Sequence, residues 1–283
     1  MRHLEAVIAS TNVDFYNERL SRERLDTLVE AISNSYIPIG IEHDPRIPPQ
    51  GRMSSAHIRE RPDREFEAVA ILEFFEEGDP PSLNGDKREI VVRKHLAPGL
   101  TISHAWTHRG EQDQADIAAI ATIFGTKPIY EVKKAADPIS LITIAGAFAL
   151  GGIASGFLKE MGSDGWKLVK RKLSSLTAKS ESRKGEQILS FAILTGLGEG
   201  AEVAVEVLLT DPSPEDIDWV IESGLQIVES VLPIYLENSP EIRRLVFEAR
   251  NEKVELQFAV RSDCRPLKPT LSVQQILLHR DDS

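Results

Sequence analysis

From Ile139 to Leu158 the chain runs twenty residues without a charged side chain, and this run separates two acidic stretches. Such a segment must leave water, either into a protein core or into a bilayer. Wound as a helix it would span about 30 Å, the thickness of a hydrocarbon layer. Gly152 and Gly156 stand four apart, a spacing that lets helices approach closely. The next stretch, Lys159–Lys184, carries eight Lys/Arg against three Asp/Glu. Within it Trp166, Leu168, Val169 and Leu173 interleave with Lys167, Lys170, Arg171 and Lys172, as in a basic amphipathic helix. Residues 139–172 could therefore touch a membrane. Against this, four glycines, two serines and a threonine dilute the apolar run. The favoured expectation is a buried helix followed by a solvated basic one.

A length of 283 residues suggests two domains of ordinary size, and 41% hydrophobic with 27% charged residues marks a globular chain. A formal net charge of −11 disfavours nucleic acid as a partner, because phosphate binding needs an excess of Lys and Arg. Cys264 is the only cysteine, which rules out an internal disulfide and fits a reducing compartment. The short apolar run near the N-terminus stops at Asn12 and Asp14, too early for a signal peptide. A cytoplasmic location is expected.

Local patterns predict several elements. Ser21 precedes Leu25, Leu28, Val29 and Ile32 at helical spacing, which reads as a capped helix ending near Asn34. Arg52–Arg59 and Phe66–Phe75 read as paired strands around the charged turn 61–64. Short strands are expected at Glu5–Ala9, Ile37–Ile41, Ile90–Val92, Leu100–Ser103 and Tyr130–Val132, with a helix or strand pair near Ile117–Phe124. Further on, Gln187–Leu194, Val203–Leu209 and Val254–Val260 read as strands. Ser213 and Pro214 open a helix that a second apolar stretch extends until Pro233 breaks it. The expected architecture is α+β. A small β-barrel-like domain with flanking helices spans 1–138, an apolar then basic helical connector spans 139–184, and an acidic α+β domain spans 185–283.

Three short segments carry chemistry in the first of these regions. They are Ile39-Gly40-Ile41-Glu42-His43-Asp44 followed by Gly51, then Gly99-Leu100-Thr101-Ile102-Ser103, then Ile129-Tyr130-Glu131-Val132 ahead of Pro138. In this order the set resembles the prohead serine proteases of tailed phages, which share their fold with the assemblins. The resemblance covers roughly Val7 to Pro138, and the ordered set is more specific than any one motif. It implies a serine-type endopeptidase or self-cleaving protease, with His43 as base and Glu131 orienting it. The nucleophile position falls on Thr101, where the family has serine.

A hydroxyl needs a base within hydrogen-bond reach, and an imidazole steadied by a carboxylate serves well. Threonine departs from this pattern because its methyl restricts χ1 and crowds the attacked carbonyl. Ser103, two residues on, faces the same side of a strand and is the alternative nucleophile. Two readings follow. In one, Thr101 or Ser103 works with His43 and Glu131. In the other, which the substitution favours, the domain keeps the fold without the reaction. It then serves as a binding or sensor module coupled to a membrane-acting or signalling segment. His43, Asp44, His57, His95, His104 and His108 lack the spacing of a metal site, so no metal or cofactor is expected. The expected partners are a protein substrate or protein partner and further copies of the chain.

Overall fold

The computed structural model describes residues 1–13, 19–41, 44–76, 88–91, 99–131, 139–178, 185–196 and 202–267. The protein is mixed α+β with two sheets, and it divides into two compact units. Unit 1 comprises Met1–Val91 and Val260–Leu267, and unit 2 comprises chiefly Val92–Ala259. This boundary differs from the expected one near residue 138. The strand at Thr101 pairs with the strand at Ala145, so residues on both sides of 138 belong to one sheet.

Unit 1 holds a four-stranded antiparallel sheet in the order β1-β4-β3-β2, with β1 at Arg2–Ser10, β2 at Ile37–Ile39, β3 at Gly51–Glu60 and β4 at Phe66–Phe74. Helix α1 (Arg22–Asn34) packs on it through Leu25, which meets Ala9 and Ala68. Ser21 caps this helix, its hydroxyl accepting from the Arg24 N–H at 3.2 Å. Gly51 has no alternative at its place, since a Cβ there would lie 2.3 Å from the Glu73 carbonyl oxygen. Arg52 is buried in this unit, donating to Glu73 at 2.7 Å and to the Asp263 carbonyl at 3.1 Å.

Unit 2 is organised around the larger sheet. The parallel pair β5 (Thr101–Ala105) and β6 (Ile129–Glu131) is joined through α2 (Glu111–Ile123). Likewise β7 (Ile139–Ala147) and β8 (Glu186–Gly196) are parallel and joined through α3 (Ile153–Thr177). The third parallel pair, β9 (Glu202–Thr210) and β10 (Ile242–Arg250), is joined by α4 (Pro214–Trp219), a π-helical turn (Val220–Gly224) and α5 (Leu225–Asn238). Antiparallel contacts weld these β-α-β units together, β5 to β7 and β8 to β9. A tight hairpin through Asn251 and Glu252, both at positive φ, leads into β11 (Lys253–Arg261), which carries the chain into unit 1 and to the short β12 (Pro266–Leu267).

The uncharged segment is therefore not a helix along its length. Ile139, Ile142, Thr143 and Ile144 are β-branched, and they form a strand hydrogen-bonded on both edges, with its first eight residues buried. Its glycines serve packing: a Cβ at Gly146 or Gly156 would meet the Phe148 ring at 2.6 or 2.3 Å. Phe148 stacks on Phe157 at 4.7 Å, and Phe157 meets Phe191 edge-on. No helix among the described residues is long and apolar enough to cross a membrane. Helix α3 is instead tied down by acids of its own unit, Lys172 to Asp116 on α2 and Lys170 to Asp218 on α4. Its first N–H groups, on Ile153 and Ala154, donate to the Glu229 carboxylate of α5. Helix α5 also runs unbroken through Pro233, where the sequence predicts a break.

Candidate functional site

Strand β5 carries the two hydroxyls that the sequence singles out. Thr101 pairs with Ala145 and Ser103 with Thr143 on one edge, and Ser103 pairs with Ile129 on the other. Every residue of β5 is buried, with Thr101 at 6% and Ser103 at 7% exposure. The Thr101 hydroxyl donates to the Ala145 carbonyl at 3.4 Å, across its own ladder. Glu131 ends β6 opposite Ala105, while its side chain and the whole of His43 lie outside the described residues. His43 falls within the span of unit 1, and Thr101, Ser103 and Glu131 within that of unit 2. Asp44, next to His43, is engaged by Arg46 through Nε at 2.9 Å and Nη2 at 2.7 Å.

A different hydroxyl in unit 2 does meet an imidazole. The antiparallel register pairs His104 with Ile142, and continuing it brings the 3₁₀ turn Trp106–His108 beside the start of β7. There the Ser140 hydroxyl lies 2.9 Å from His108 Nε2. On the far side of the ring, His108 Nδ1 faces the Asp113 carboxylate at 3.5 Å, an ion-pair distance longer than a good hydrogen bond. A second hydroxyl, Thr107 Oγ1, lies 2.5 Å from Ser140 Oγ. Serine, imidazole and carboxylate thus stand in line, and the imidazole is fully buried.

Local structure holds each member. Asp113 sits in the first turn of α2, where the exposed N–H groups and the helix dipole favour a negative charge. Gln114 donates to the His108 carbonyl at 2.5 Å, which closes the turn onto the helix that follows it. Asp116, buried one turn further on, accepts from Gln112 at 2.9 Å and from Lys172 at 2.5 Å, pinning α2 to α3. Tyr130 on β6 stacks near His104, with ring centroids 5.6 Å apart, and its hydroxyl receives the Arg109 guanidinium.

The carboxylate beside Nδ1 favours the tautomer with its proton on that nitrogen. Nε2 is then an acceptor, so Ser140 donates to it and Thr107 donates to Ser140. This is the protonation order an activated hydroxyl requires. The sequence offered little to find it by. Ser140 and His108 are 32 positions apart, and only the β5–β7 ladder joins them. In the sequence His108 stands only as one of several histidines without metal-site spacing. Among the described residues, no group of three His, Cys, Asp or Glu side chains is placed to hold a metal ion. Comparison with family models, with curated proteins and with solved structures finds no match for this chain.

Proposed function

We propose that this chain is a prohead-protease-like protein that engages a polypeptide, and that it is silent at the family's nucleophile position. The reading includes the small barrel-like protease domain of the N-terminal half. The ordered segments at His43, Thr101 and Glu131 support the assignment to this type. The observation that carries the silence is the state of β5. Thr101 and Ser103 are each over nine-tenths buried in a strand paired on both edges, and Thr101 is bonded to a backbone carbonyl. The Thr101 hydroxyl is thereby committed to the sheet's own backbone rather than to a base that could activate it.

The test is fluorophosphonate treatment of the full chain, the Thr101→Ser variant and the His43→Ala variant, read by intact mass and peptide mapping. No adduct at 101 or 103 and an uncleaved chain for all three proteins are expected. A His43-dependent adduct or self-cleavage that is gained with Thr101→Ser would overturn the reading.

A further inference from the structure

The geometry points to Ser140 as the reactive hydroxyl of this chain, with His108 as its base, in an acyl-transfer site that hydrolyses esters or amides. Asp113 and Thr107 act as positioning residues. Three observations carry this. Ser140 Oγ is within hydrogen-bond reach of an imidazole nitrogen, the opposite nitrogen faces a carboxylate, and a second hydroxyl holds the serine oxygen from a third direction. A nucleophile next to a base, with the base oriented by a third group, is the arrangement that identifies an activated serine whatever the fold. Chain order does not matter to it. Here the order is His, Asp, Ser.

The step balances within these groups. Ser140 Oγ attacks the substrate carbonyl carbon and passes its proton to His108 Nε2. The Nδ1–H of the resulting imidazolium faces Asp113, and the ion-pair contact at 3.5 Å strengthens once the ring is charged. Collapse of the tetrahedral intermediate breaks the carbon–nitrogen or carbon–oxygen bond, and the leaving group takes the proton from Nε2. Water then attacks the acyl-serine, gives its proton to Nε2, and releases the acid while Oγ recovers its hydrogen. No metal, cofactor or redox partner enters.

Burial shapes the substrate. Ser140 is 3% exposed and His108 fully buried, so these polar contacts act in a low-dielectric site where each is stronger than in water. The same burial admits small acyl groups first. A polypeptide as natural substrate rests on the function proposed above, whereas the assignment of Ser140 does not. A small probe therefore separates the two: an adduct at 101 or 103 sinks the former reading, and no adduct at 140 sinks this one.

The experiment is incubation of the full chain with diisopropyl fluorophosphate, alongside p-nitrophenyl acetate turnover, with folding followed by circular dichroism. A single adduct on Ser140 is expected, absent from Ser140→Ala and His108→Gln. Asp113→Asn should slow labelling about 100-fold or more and alter its pH profile, which a merely structural contact would leave alone. Should Ser140→Ala fail to fold, Ser140→Cys keeps the group and changes the readout. Its thiol, beside the imidazole, should be alkylated by iodoacetamide with a midpoint below the ordinary thiol value of about 8.5, and His108→Gln should restore that value. A folded protein with no adduct at Ser140, an adduct indifferent to His108→Gln, or an ordinary thiol at position 140 would each overturn the assignment.

Discussion

Two hydroxyls on neighbouring strands, Thr101 on β5 and Ser140 on β7, have opposite surroundings although both are buried. Thr101 turns to a backbone carbonyl that already serves the sheet, whereas Ser140 turns to a titratable ring and a second hydroxyl. The difference arises from what lies beside each strand start. Thr101 opens β5 opposite Ala145, whose carbonyl accepts its hydroxyl. Ser140 lies at the start of β7, where the chain leaving β5 turns back over the strand through Thr107 and His108. Both hydroxyls stand near a strand start, and the chain packed beside that start decides the partner each one meets.

The largest expected effect tests whether α2 sets this difference. Lys172→Met leaves Asp116 as a buried carboxylate without its cation, and should cost about 3 kcal/mol in urea unfolding. If labelling at Ser140 falls with it, α2 places Asp113 as well as stabilising the unit. Next comes the direct pair. Ser140→Ala strands the buried Nε2 of His108 and should cost about 1–3 kcal/mol. Thr101→Val keeps shape and leaves the carbonyl in its ladder, so it should stay under about 1 kcal/mol. Equal costs would erase the contrast.

The smallest effect lies in unit 1 and serves as a control. Burial pushes the Glu73 carboxyl up, but hydrogen bonds from Arg52 and Ser54 and the Arg52 charge outweigh it, so its pKa is lowered from 4.5. The unfolded chain therefore binds this proton more readily than the folded one. Its contribution is present above pH 4.5 and is lost as pH falls through the lower folded value. Thermal melts between pH 5 and 2.5 should show less acid sensitivity in Glu73→Gln.

Much of the scaffold was legible because its signals are local. Ser21 before Leu25 fixed the start of α1, and Ser213 with Pro214 fixed that of α4, whose capping box with Asp216 is complete. The alternating run after Arg52 and its partner at Phe66 formed the β3–β4 hairpin, with Arg64 at positive φ in the turn between. The uncharged run misled because apolar character without period suits a helix or a buried strand equally, and β-branching at 139–144 had to decide. Ile242–Arg250 went unread as a strand, since Arg243 and Arg244 interrupt its apolar pattern; Arg244 is satisfied by Glu206 across β9. The Ser140 constellation left no trace in spacing, because a ladder between distant segments creates it.

The excursion of the chain has a consequence for the order of assembly. Unit 1 begins at Met1 yet includes Val260–Leu267, where the Ser262 carbonyl accepts from Ile90 and the Asp263 carbonyl from Arg52. During synthesis its first strands emerge long before these closing contacts exist. The unit that starts first is thus closed late, and its completion reports that Val92–Ala259, the bulk of unit 2, has already been made.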